Sequence, residues 1–171
     1  MLQGRSLSNW KSIKPALFIG LALATLQIFS GLAAYYQSKN LLWDSKYQTA
    51  LNLTKGLIVS VVDQFVTKDY GSIESRILQT MSNAEVASVV LTDTSGKVIS
   101  ALKRDIGKEP RLVFDLNWIQ TPATNQTTLQ SRDDAYITTW APVSLGMHLG
   151  WVRLQTYNSL DTAELLSLIH I

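Results

Sequence analysis

Apolar residues fall along this chain in three rhythms, and each change of rhythm predicts a change of structure. From Pro15 to Ser38 no residue is charged, and apolar side chains occur on every face of a helical period. The run is bounded by Lys14 and Lys39. Roughly 20 helical residues cross a hydrocarbon core of ~30 Å, so the length suffices for a membrane helix. From about Leu41 to Thr67 the rhythm becomes amphipathic. Tyr47, Leu51, Ile58, Val61, Val62 and Phe65 recur at spacings of mostly three and four or their sums, while Lys46, Gln48, Asn52, Lys55 and Asp63 take other faces. This predicts one long helix that continues from the membrane run. Asp69-Tyr70-Gly71-Ser72 breaks it, with Ser72 or Ser75 as the expected N-cap of a second helix through Ile73, Ile77, Leu78 and Met81.

The third rhythm is that of strands. Val86–Thr92 is rich in β-branched residues, Asp93-Thr-Ser-Gly96 has Asp first and Gly last as a type I turn prefers, and Lys97–Lys103 returns. A β-hairpin is predicted. Between Arg104 and Asp134 the pattern fades. Pro110, Pro122 and the tract Thr121–Thr128 predict a loop with at most short elements, which Leu112, Val113, Phe114, Leu116, Trp118 and Ile119 would pack onto the sheet. Ala135–Val143 and His148–Tyr157 read as two more strands, with Gly146 and Gly150 flanking their connection. Ser159 caps an exit helix beginning at Leu160, whose Asp161 and Glu164 suit the positive end of a helix dipole. The fold class expected is α+β: a transmembrane helix continuing into a long helix, then an antiparallel sheet of four strands with flanking helices.

Charge sets the orientation. Arg5, Lys11 and Lys14 precede the apolar run and no acid does, so the positive-inside rule puts the N-terminus in the cytoplasm. Trp10 on one side and Tyr35, Tyr36 and Trp43 on the other suit interfacial belts. The expected organisation is a cytoplasmic tail over 1–14, a transmembrane helix over 15–38, an extracytoplasmic domain over 39–158 and an exit helix over 159–165. A cleaved signal peptide is disfavoured, because the core is long and Tyr35 and Tyr36 sit where cleavage would fall. Only 16% of residues are charged, which agrees with a chain partly out of water; the net charge of +2 has no basic stripe, so nucleic acid is not an expected partner. The absence of cysteine excludes disulfides, thiolate nucleophiles and cysteine zinc sites.

Val89-Val-Leu-Thr-Asp-Thr-Ser-Gly-Lys-Val-Ile99 resembles the strand–Asp–turn–Gly–strand hairpin of the PAS-like extracytoplasmic sensor domains called Cache or PDC domains. Trp140-Ala-Pro-Val143 and Leu149-Gly-Trp-Val-Arg-Leu154 are similar to their closing strands. The resemblance covers roughly Leu41 to Leu165. It implies a bacterial inner-membrane receptor with a periplasmic sensor, acting as a homodimer, with a small-molecule ligand or a periplasmic partner protein. It also implies a cytoplasmic output beyond this chain: a diguanylate cyclase or phosphodiesterase first, a histidine kinase next. Leu166–Ile171 matches the translation of a transposon-end adapter used in sequencing libraries, so these residues are expected to be non-biological and the gene cut before a second membrane helix.

Catalytic chemistry is not expected. His148 has no acid or second histidine at ligand spacing, no serine sits in a Gly-x-Ser-x-Gly elbow, and Asp133 and Asp134 would point to opposite faces of a strand. No metal and no cofactor is expected. The resemblance places a ligand between the sheet and the linking segment, where the candidates are Trp118, Arg132, Tyr136, Trp140 and Arg153. Arginine would suit a carboxylate through paired hydrogen bonds. Tyr136 and Trp140 lie four apart on one strand face and are equally readable as core, and Arg132 and Arg153 as surface residues. Two rival functions remain: a membrane-anchored binding or structural protein without signalling output, and a secreted enzyme processed near Ala34.

Overall fold

A computed structural model describes residues 8–123 and 128–158; the expected exit helix and the adapter-like end lie outside them. The chain divides at Asp44/Ser45 into two units. Helix α1 (Ser8–Thr67) makes up the described part of the first and opens the second. In the first unit Leu17, Phe18, Ile19, Leu21 and Phe29 are all exposed. This stretch is long and apolar enough to cross a membrane. Two of its hydroxyls are satisfied within the helix, Thr25 donating to the Ala22 carbonyl at 2.9 Å and Ser30 to that of Gln27 at 3.4 Å.

The second unit is α+β, as expected. After α1 come α2 (Tyr70–Thr80), β1 (Val86–Asp93), β2 (Val98–Lys103), β3 (Arg111–Leu112), β4 (Leu129–Arg132), β5 (Tyr136–Leu145) and β6 (Met147–Tyr157). They form one six-stranded sheet in the order β3-β2-β1-β6-β5-β4, every pairing antiparallel. The expected four strands are therefore six. The two added ones are edge strands of two and four exposed residues, too short and too polar to show a period-two pattern.

One face of the sheet packs on the helices. Val89, Leu91, Leu102, Ile137, Ala141, Val143, Val152 and Leu154 are buried there with Ala50, Leu57 and Val61 of α1 and Ile73 and Ile77 of α2. The core stripe of α1 runs Ala50, Thr54, Leu57, Val61, rather than through Tyr47, Leu51 and Ile58, which are only half-buried. Two of its four residues are small, and the buried Thr54 hydroxyl is satisfied by the Ala50 carbonyl at 2.7 Å. The cap of α2 is Asp69, one turn earlier than Ser72; its carboxylate accepts from the Ser72 amide at 3.2 Å and hydroxyl at 2.6 Å. At the other end of α2, the Arg104 guanidinium donates to the Met81 carbonyl and, at 3.1 Å, to that of Asn83, placing a cation where the helix dipole is negative.

Gly150 is not part of a turn. It lies within β6, paired with Asp93 and Val143, and any Cβ there would collide with the Thr92 carbonyl oxygen and come within 3.0 Å of Phe65 Cζ on α1. Glycine lets α1 reach the sheet. Gly150→Ala is expected to cost about 2–4 kcal/mol by chemical denaturation. Gly56→Ala, on exposed α1 surface with nothing within 4 Å, is expected to gain about 0.5–1 kcal/mol. A neutral Gly150→Ala would contradict this packing.

Candidate functional site

The strand order forces a crossing. β3 lies at one edge of the sheet and β4 at the other, so the segment between them must pass over a face. The helices occupy one face, which leaves the second. The register lays out what that face presents: Tyr136 opposite Tyr157, Thr138 opposite Gln155, Trp140 opposite Arg153 and Pro142 opposite Trp151, with Ser88 and Val90 beside Gln155 and Arg153 on the far side. Alternate residues of β5 and β6 thus build two different surfaces, one apolar under the helices and one mixed under the linker.

Beside the linker lies a partly open cavity of about 220 Å³ lined by Ser88, Val90, Ala101, Tyr136, Arg153 and Gln155 from the sheet and by Val113 and Leu116 from the linking segment. Ser88 Oγ donates to Gln155 Oε1 at 2.7 Å, and Gln155 Nε2 donates to Thr138 Oγ1 at 3.1 Å. Arg153 is half-buried, not on the surface as its sequence position allowed. Its Cζ stands 5.8 Å from the Trp140 ring centroid, a cation–π contact. Its Nε is buried without a hydrogen-bond partner among the described residues. Burial pushes its pKa below the ordinary arginine value, although a guanidinium stays charged. The Trp140 ring in turn meets Trp151 edge-on at 6.3 Å, and Trp151 meets His148 at 5.2 Å.

Of the five residues expected at the site, the structure brings three onto this face. Tyr136 and Arg153 line the cavity, and Trp140 stacks on Arg153. Arg132 is exposed and pairs in register with Ile137, whose side chain belongs to the helix-packed face; Arg132 and Arg153 therefore fall on opposite sides. Trp118 stands apart as well. It is 60% exposed, its Nε1 donates to the Ser95 carbonyl at 2.9 Å, and its ring covers Gly96, clipping the linker to the β1–β2 turn. That turn forms as expected. Gly96 has φ +87°, and Asp93 Oδ1 accepts from the Ser95 amide and hydroxyl and the Lys97 amide. Burial pushes the Asp93 carboxyl up, but these hydrogen bonds outweigh it and hold the group below the usual carboxylate range.

The sequence reading missed Ser88, Gln155, Val113 and Leu116 as lining residues. Ser88 and Gln155 carried a signal: Ser88 stands between Ala87 and Val89 in β1, and Gln155 lies two residues from Arg153 on β6. A larger, open groove of about 740 Å³ lies where α1 ends, lined by Phe65, Val66, Tyr70, Leu145 and Met147 with Asp93 and Lys97. Its one carboxylate is already engaged in the turn, so it offers fewer converging polar groups than the smaller cavity. Among the described residues no group of His, Asp or Glu is placed to hold a metal ion.

No protein-family model and no curated protein matches this sequence. Solved structures share its fold. One is the ligand-binding domain of a Campylobacter jejuni chemoreceptor in complex with L-valine: TM-score 0.55, 15% identical, covering 80% of this chain and 60% of that one. Another is a domain of a sensory box/GGDEF family protein from Vibrio parahaemolyticus: TM-score 0.50, 11% identical, covering 77% and 59%. The chain thus spans about three-fifths of the length of each, and at these identities the likeness is one of fold.

His148 supplies a pH signature for this face. Burial holds its imidazole below the ordinary histidine value, and neither ring nitrogen has a hydrogen-bond partner among the described residues. The unfolded chain therefore takes up the proton more readily than the folded one. The stability from the neutral ring is fully present above about pH 6.5 and falls as pH drops through the lowered folded value. Thermal denaturation between pH 7.5 and 5 is expected to show a smaller loss of Tm for His148→Phe than for the parent. Parallel curves would contradict it.

Proposed function

We propose that this chain is the signal-sensing region of a membrane-bound bacterial receptor, anchored by the apolar part of α1 and exposing its α+β unit outside the cytosol. The observation that carries this reading is the cavity on the second sheet face. It holds an arginine kept partly from water, the Tyr136 ring and, from the linking segment, Val113 and Leu116, in a fold shared with a chemoreceptor ligand-binding domain. A ligand of amino-acid size is expected, by likeness to the domain that holds L-valine. Its volume is below the roughly 300–1,000 Å³ of sites for drug-sized ligands.

The helix that carries the apolar stretch also carries Ala50, Thr54, Leu57 and Val61 of the core. A ligand that favours one packing of the sheet over another would bias α1, and the bias need only equal its differential affinity for the two arrangements. Val59 and Val66 are exposed on α1 at 77% and 53%, seven residues apart, which supports a second copy of the chain as partner. The likeness to a domain of a GGDEF family protein supports a cyclic-di-GMP output over a histidine kinase.

Two measurements test the reading. A phosphatase reporter joined after Tyr157 is expected to be active outside the cytosol; activity of a cytosolic reporter alone at that position would end the sensor assignment. In a thermal-shift screen of the full chain in nanodiscs against a panel of small metabolites, at least one compound is expected to raise Tm. Arg153→Gln is expected to abolish that rise without lowering the unliganded Tm by more than a few degrees.

A further inference from the structure

We infer that the cavity under the linking segment takes a small apolar monocarboxylate that lacks an amino group, and discriminates against the α-amino acid of the same carbon skeleton. This rests on reading that cavity as the ligand site, and narrows it from a size to a chemical class.

The charge of the lining decides the class. Arg153 and Lys103 are its two cationic side chains, and none of its lining residues is acidic. The Trp140 ring faces the Arg153 guanidinium but offers no hydrogen-bond acceptor, and the buried Nε has no partner among the described residues. A guanidinium has five N–H donors in a planar fork that matches a carboxylate. An anion in the cavity would give this fork the counter-charge and acceptors that the protein does not supply there. Val90, Ala101, Val113 and Leu116 then form an apolar sleeve for the rest of the molecule.

An α-ammonium group would meet the opposite conditions. It brings three donors and a positive charge, and within one carbon–carbon bond of the carboxylate it would lie close to Arg153. Of the neutral polar side chains, Ser88 is already paired to Gln155 and Gln155 to Thr138, which leaves the Tyr136 hydroxyl, itself a weak acceptor, as the remaining group. Two acids of the neighbouring segments are already engaged by the protein's own cations and amides. Asp105 is ion-paired with the lining residue Lys103 and with Lys108 and Arg111, at 3.9, 3.7 and 3.4 Å. Asp133 Oδ1 accepts the amides of Ala135 and Tyr136 at 2.8 and 2.6 Å. Asp115, next to Leu116, is exposed. A desolvated ammonium without a partner is penalised more than a neutral group in the same position.

The test compares three probes of one skeleton by calorimetric titration of the full chain in nanodiscs: 4-methylpentanoate, L-leucine and 3-methylbutylamine. The acid is expected to bind, L-leucine to bind weaker by on the order of 30-fold or more, and the amine not at all. Arg153→Gln is expected to weaken the acid by a similar factor and Arg153→Lys by less, while Arg132→Gln, on the other sheet face, leaves it unchanged. Should Arg153→Gln fail to fold, the Arg153→Lys and Arg132→Gln pair still separates the two faces. L-leucine or the amine binding as tightly as the acid would overturn this inference while leaving a ligand site in place. Failure of all three overturns it as well, and if the metabolite panel is also blank the ligand-site reading falls with it.

Discussion

The second unit is organised by the burial of its central strand. β1 is buried along seven of its eight residues, so both faces of the sheet must be covered around it. The two faces are covered by different materials. α1 and α2 seal one with small and branched apolar side chains, and Gly150 is needed where Phe65 of α1 reaches the sheet. The other is closed by an irregular segment that the strand order sends from edge to edge. A helix buries a continuous stripe, whereas a segment without regular structure covers a sheet unevenly. The cavity is what such a covering leaves.

The chemistry of that cavity follows from the strand period. Residues that alternate with Leu154, Val152 and Ile137 cannot join the helix-packed core, and the sequence places Arg153, Gln155, Tyr136, Thr138 and Trp140 there. The hydroxyl and amide groups pair among themselves, and the aromatic rings run edge to face from Trp140 through Trp151 to His148. Arg153 is left with a ring on one side and an unsatisfied nitrogen. A half-buried cation of this kind adds little to stability by itself. Among the unpaired buried groups of this face, the Thr92 hydroxyl and the His148 ring among them, Arg153 is the one that carries a full charge, and a ligand would supply its missing anion.

Much of the fold was legible where local chemistry and tertiary demand agree. The β1–β2 hairpin could be read because Asp93 and Gly96 are required by the turn itself. The apolar run could be read because nothing in it needs a partner. The core stripe of α1 was read correctly at Val61 but displaced by one residue at Leu51 and Ile58, whose neighbours Ala50 and Leu57 are the buried ones: periodicity alone favours the larger side chain over a small one such as Ala50. β3 and β4 were hidden because exposed edge strands carry no hydrophobic alternation. At the site, the period-two relation of Tyr136 and Trp140 placed them together correctly. Arg132 needed a strand register and Trp118 a long-range clip to Ser95, neither of which is encoded locally.

Fluorine NMR of the full chain labelled with 5-fluorotryptophan tests most directly whether an anion enters beside Arg153. The Trp140 resonance is assigned by its loss in Trp140→Phe. With saturating 4-methylpentanoate, the Trp140 signal should move while that of Trp118, on its separate clip, stays in place. A Trp140 signal that is unchanged at saturation, or a shift confined to Trp118, would contradict the placement of the ligand on this face of the sheet.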